Sequence, residues 1–187
     1  MRLFAGIPIP EPARGQILDL LDHLRQCDWP VRWVHDEGLH MTLKFFGEVA
    51  PERLDVIIEA LRFAANGAGA LPLKLSELGA FPSRSRPRIL WVGIDSLPSL
   101  ELLQDRIERG SEAIGFPPEG APFQPHVTLG RVREGQRLPS HGLDDHVGIF
   151  ELVPFVAQKL VLYESVLTTG GPKYESRLTV DLGAAEV

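Results

Sequence analysis

The tetrapeptide His-x-Thr-Leu occurs twice, as His40-Met41-Thr42-Leu43 and His126-Val127-Thr128-Leu129, with the two histidines 86 residues apart. In an extended strand successive side chains alternate faces. Each copy therefore turns its His and Thr one way and its two apolar residues the other. A fold that buries both apolar faces can gather two imidazoles and two hydroxyls around one small anion.

The chain around these copies reads as a mixed α/β (α+β) order. Arg2 to Pro8 is a strand, followed by a helix from Pro12 to Cys27 with Ile17, Leu21 and Leu24 on one stripe. Pro30 separates it from a strand over Val31 to Val34, and Leu39 to Val49 is the strand bearing the first copy. Pro51 opens a helix with Leu54, Ile57, Ile58 and Leu61 on its buried side, closed by Asn66-Gly67. Leu71 to Leu75 and Ile89 to Ile94 are strand-like, and Ser99 to Ile114 carries a helical stripe stopped by Gly115 and Pro117-Pro118. His126 to Val132 is the second motif strand. A loop over Gly135 to Gly148 leads to strands near Phe155 to Val156, Lys159 to Leu167 and Tyr174 to Leu182, with a turn at Gly170-Gly171-Pro172. Neither half is long enough to stand as a separate domain. The economical arrangement over 1–187 is a single bilobal unit, one motif in each of two opposing lobes about a shared cleft.

The net charge of −6 argues against a long basic groove for nucleic acid but leaves room for a local positive pocket. Cys27 is the one cysteine, which excludes an intrachain disulfide and multi-cysteine metal sites; it reads as a small packing residue. The first ten residues have too brief an apolar run for a signal peptide, and no stretch approaches a membrane span, so a cytoplasmic location without membrane contact is expected.

Histidine transfers protons near neutral pH, with an unperturbed pKa of about 6.5. Placed either side of a phosphate, one of His40 and His126 would act as base and the other as acid. Thr42 and Thr128 would donate to the nonbridging oxygens. Lys44 shares the parity of His40 and is a candidate substrate contact, as is Phe46 for base stacking, whereas Phe45 has core parity. Arg131 faces away from His126 under strict alternation unless Gly130 admits a bulge. Arg84, Arg86 and Arg88 form a basic run, and Arg88, abutting the apolar Ile89-Leu90-Trp91-Val92, is the one best placed to be held against a cleft. No metal is expected: neither motif histidine has a ligand set around it, and His23, His35, His141 and His146 form no metal motif. A phosphate-binding glycine loop, a Rossmann fingerprint and a serine-hydrolase elbow are all lacking.

These residues resemble the 2H phosphoesterase superfamily, and within it the RNA 2′,3′-cyclic phosphodiesterases historically named 2′-5′ RNA ligases. Beyond the two motifs, the resemblance rests on Arg2-Leu3-Phe4-Ala5, Arg32-Trp33-Val34, Lys44-Phe45-Phe46-Gly47-Glu48-Val49 and Arg86-Pro87-Arg88-Ile89-Leu90-Trp91-Val92-Gly93. Pro125 with Gly130-Arg131, Leu162-Tyr163-Glu164-Ser165 and Gly171-Pro172-Lys173-Tyr174 extend it towards the C-terminus. The resemblance implies a bilobal fold with pseudo-twofold symmetry around a central cleft, with His40, Thr42, His126 and Thr128 as its four central residues. It implies cofactor-free hydrolysis of an RNA terminal 2′,3′-cyclic phosphate to a 2′-phosphate, with 2′-5′ ligation as a related transfer. It further implies His40 as acid toward O3′ and His126 as base toward water, a polarity that spacing does not assign. The implied partner is an RNA terminus or a small cyclic nucleotide, with no obligate protein partner. Two other readings stay open: a non-catalytic RNA-end or nucleotide-binding module, and a duplicated structural scaffold.

Overall fold

The computed structural model describes residues 1–139, 142–146, 148, 153–169 and 171–183. Among these residues nine strands and three α-helices follow in the order β1 (Arg2–Pro8), α1 (Ala13–Arg25), β2 (Val31–Trp33), β3 (His40–Glu48), α2 (Leu54–Ala65), β4 (Leu71–Phe81), β5 (Ile89–Ile94), α3 (Pro98–Ala113), β6 (His126–Val132), β7 (Pro154–Ala157), β8 (Lys159–Thr168) and β9 (Gly171–Asp181). Pairing runs β7-β4-β5-β6-β3-β1-β8-β9, with β2 added to β6, and every pair is antiparallel. The chain thus has the mixed α+β fold expected of it.

Alternation along the strands gives the sheet one apolar face. Met41 and Leu43 of β3, Val127 and Leu129 of β6, and Leu90 and Val92 of β5 are all buried. Ile17, Leu21 and Leu24 of α1, Ile57 and Leu61 of α2, and Leu103 and Ile107 of α3 join the same apolar cluster. Burying a side chain of this size contributes about 1.5–3 kcal/mol, so these stripes hold the helices on the sheet and leave its other face to the polar half of each motif.

Several boundaries differ from the sequence expectation, among them the start of β9, which takes in Gly171 and Pro172 of the expected turn. β4 runs on from Leu75 to Phe81 because its register with β5 shifts between Leu75 and Leu78; the bulge absorbs Ser76-Glu77, which break the alternation. The Gly135–Gly148 segment contains a short 3-10 turn, Asp144–His146. His141 in that segment and Gly170 of the expected turn lie outside the described residues.

Candidate active site

β3 and β6 lie side by side at the middle of the sheet, paired at Met41↔Val127. Those are the central residues of the two motifs. In an antiparallel ladder, extending that register by one residue sets His40 opposite Thr128 and Thr42 opposite His126. All four are half-buried on the face away from the helices. The structure therefore brings the four motif side chains into one patch, related by a local twofold.

The duplication extends into the backbone. His40 Nδ1 donates to the Gly38 carbonyl at 2.7 Å, and His126 Nδ1 donates to the Gln124 carbonyl at the same distance. Each bond, to the residue two positions back, selects one tautomer and leaves Nε2 as the working nitrogen. Past each Thr the strand bulges. The β1 register skips Leu43 between Thr42 and Lys44, and the β5 register skips Leu129 between Thr128 and Gly130. One extra residue reverses the parity of everything beyond it.

That reversal redistributes the flanking residues. Lys44 is fully buried against α3, its Nζ bonded to Glu108 Oε2 at 2.7 Å and the Pro117 carbonyl at 2.6 Å. It is a core ion pair and not the substrate contact that unbroken alternation predicts. Phe46 is buried, its ring edge-on to Phe116 at 5.2 Å, while Phe45 turns to the site face and is 52% exposed. The stacking position thus passes from Phe46 to Phe45. Arg131 turns the opposite way to strict alternation and joins the His126 face. Arg88 directly precedes β5 and is exposed, its backbone N–H bonded to the Phe81 carbonyl at 2.7 Å. Phe45 and Arg131 occupy equivalent positions three residues past each Thr. There the local twofold is broken, one end aromatic and the other cationic.

A cleft of about 780 Å³ opens along the aromatic end, lined by Thr42, Phe45, Phe81, Glu119, Phe123 and His126 among others. The two histidines have unequal surroundings. His40 packs against Phe4 at 4.7 Å, Tyr174 at 5.0 Å and Tyr163 at 5.7 Å. Burial there pushes it down to about 4, with the Gly38 carbonyl opposing and the nearby His126 adding to the fall. His126 packs against Phe81 at 5.0 Å and Trp91 at 5.9 Å. Its pKa is lowered by burial and by Arg131, against the pull of Gln124 and Glu119. Burial raises the Tyr163 phenol to about 12 and raises Tyr174 as well, so both remain hydroxyl donors at neutral pH. Phe4, Trp91, Tyr163 and Tyr174 stand in the blocks that carry the family resemblance but have no site role assigned to them there, and Phe81 stands outside those blocks. Tyr163 and Tyr174 come from strands more than a hundred residues downstream of His40, and only sheet order brings them there.

The other expected non-site residues lie elsewhere. His146 joins His23 at 3.1 Å and Cys27 Sγ at 3.5 Å beside α1, and His35 Nε2 approaches Gly171. Among the described residues no group of three or more His, Cys, Asp or Glu is placed to hold a metal ion. No helix among them is long and apolar enough to cross a membrane.

The LigT-like phosphoesterase family matches residues 7–91 and 93–174. The chain belongs to this family. It is 35% identical over 164 residues to an RNA 2′,3′-cyclic phosphodiesterase of Aeropyrum pernix, covering 87% of this chain and 92% of that protein. It is 30% identical over 177 residues to one of Methanocaldococcus jannaschii, covering 94% and 97%. TT0787 of Thermus thermophilus superposes over the whole of both chains with a TM-score of 0.84 at 24% identity, which shows the shared fold. E. coli LigT complexed with 3′-AMP matches over 98% of each chain with a TM-score of 0.72 at 26% identity. The LigT-like chain thus has the 2H phosphoesterase architecture, with both motifs at its centre.

Proposed function

We propose that this protein hydrolyses the terminal 2′,3′-cyclic phosphate of RNA to a 2′-phosphate without a metal ion. The observation that carries the reading is the Met41↔Val127 pairing, which sets His40 against Thr128 and Thr42 against His126, each histidine held by Nδ1 with Nε2 unpartnered among the described residues. Two free imidazole nitrogens flanking one anion match the demands of in-line displacement at a strained cyclic phosphodiester. In the proposed sequence His126 Nε2 takes a proton from water as the water oxygen bonds to phosphorus. The P–O3′ bond breaks, and His40 Nε2 delivers a proton to O3′. The Thr42 and Thr128 hydroxyls donate to the nonbridging oxygens as their charge grows. Phe45 and the aromatic cleft beside Thr42 offer a stacking surface for the terminal base. An RNA hydroxyl replacing water in the same geometry would form a 2′-5′ linkage.

The Aeropyrum pernix and Methanocaldococcus jannaschii relatives are RNA 2′,3′-cyclic phosphodiesterases by name, which supports the substrate class. The test is chelator-treated protein on an RNA with a 2′,3′-cyclic end. We expect a 2′-phosphate product, and His40→Ala and His126→Ala should each lower turnover by about 10²–10⁴-fold. A 3′-phosphate product would reverse the bond assignment, and turnover abolished by the chelator would overturn metal independence. Tight end-binding without turnover would favour a binding module.

A further inference from the structure

The cleft beside the motifs has a charge pattern that a phosphate alone does not explain. Thr42 and His126 form its reacting end, and Phe45 and Phe81 stand along its wall. The acids Glu108 and Glu119 line it as well, and among the described residues no Lys or Arg does. Lys44 is spent behind it on Glu108 and the Pro117 carbonyl. The acidic end repels a second anion. It suits a neutral ring that stacks on Phe45 and offers hydrogen-bond donors at its edge.

Two fixed acceptors define which ring fits. Glu119 Oε1 accepts the Phe45 backbone N–H at 3.1 Å, which anchors the carboxylate beside the root of the stacking ring. Among the described residues Oε2 has no partner, and Glu119 is exposed to the cleft. Gln104 Nε2 donates to Glu108 Oε1 at 3.3 Å, so the amide oxygen is the atom left over. Glu108 is itself held by the buried Lys44. A carboxylate only accepts, through two oxygens in one plane. Of the four RNA bases, guanine sets two donors side by side on its Watson–Crick edge, N1–H and the N2 amino group, and one carboxylate can take both. Adenine and cytosine place a ring-nitrogen acceptor beside their amino group, and uracil flanks its one N–H with two carbonyls. Each of these would turn a lone pair toward the carboxylate. We infer that Glu119, anchored by the Phe45 amide, reads the Watson–Crick edge of the terminal base and selects guanine. This rests on the cyclic-phosphate reading above and supplies the base identity that reading leaves open.

The experiment measures kcat/KM for four short oligoribonucleotides that end in a 2′,3′-cyclic phosphate and differ only in the terminal base. Wild type should favour guanine over each other base by about five- to tenfold, the scale of one bidentate base contact at a partly exposed site. Glu119→Gln keeps a carbonyl oxygen for the Phe45 N–H and puts an amino donor where Oε2 stood. It should bring the guanine-to-uracil ratio down to about 1 or below. Glu119 also bears on the His126 charge, so a change common to all four bases is expected and cancels in the ratio. Equal wild-type values, a preference for another base, or a guanine preference intact in folded Glu119→Gln overturns the base readout and leaves the cyclic-phosphate reading standing. Wild type that opens none of the four ends sinks that reading and the base readout with it.

Discussion

At the scale of single residues, the site depends on two imidazoles that burial makes reluctant to hold a proton. His40, held to about 4, is neutral in the free protein at pH 7, as is His126, whose pKa also falls below its ordinary value. A proton donor at His40 therefore needs the substrate: a phosphate anion beside an imidazole favours the charged form and raises its pKa. Since kcat/KM reports the free protein and kcat the complex, the optimum of kcat should lie at higher pH than that of kcat/KM. Coincident optima would show that the bound anion does not retune the pair. The neighbouring phenylalanines separate in the same way. Phe45→Ala should raise KM with little change in melting temperature, because Phe45 is exposed and meets the buried aromatics at the ring of Phe4, 5.9 Å away. Phe46→Ala should instead cost about 3–5 kcal/mol of stability, as thermal unfolding would show, because Phe46 is buried against Phe116.

At the scale of elements, the two bulges decide which flanking side chains serve the site. Gly130 lies under β2 with no room for a side chain: a Cβ there would meet Val31 Cγ1 at 2.5 Å, Trp33 Cε3 at 2.9 Å and the Arg32 carbonyl at 3.1 Å. The two side-chain contacts are closer than real Cβ atoms tolerate, and the third, tight as well, is to backbone. Gly130→Ala should push β2 away and destabilise the protein by about 1–3 kcal/mol. Gly130→Ala with unchanged stability would mean that β2 yields freely. The other bulge buries Lys44 beneath β3 with Glu108, whose side chain is 14% exposed. A pair so enclosed sets the position of α3 over β3.

At the scale of the whole molecule, the two halves of the sheet meet at Met41↔Val127, and both residues are fully buried. The central residue of each motif is thus the seam that sets one His-Thr pair against the other. Met41→Ala should cost about 2–5 kcal/mol through the cavity it leaves. It should also lower kcat more than it raises KM, because each catalytic pair stays intact while their separation loosens. Equal loss of stability with unaltered kcat would show that the seam supports the fold without tuning the site.

The sequence by itself determined the strand-borne alternation that puts His40 with Thr42 and His126 with Thr128. It determined as well the helical stripes, the mixed α+β order and the family. All of these are carried by local periodicity and contiguous motif, which a linear chain displays directly. The tertiary structure alone decided that Lys44 and Phe46 face inward while Phe45 and Arg131 face the site. Parity can be read from a chain only as far as its register runs unbroken. Whether a strand bulges at Leu43 or Leu129 depends on the hydrogen-bond partners that β1 and β5 supply, not on the residues beside the motif. The same holds for the aromatic enclosure of His40 by Tyr163 and Tyr174 and for the register pairing of Arg32 with Arg131. Each joins residues far apart in sequence, so each comes into being only when strand order closes the distance.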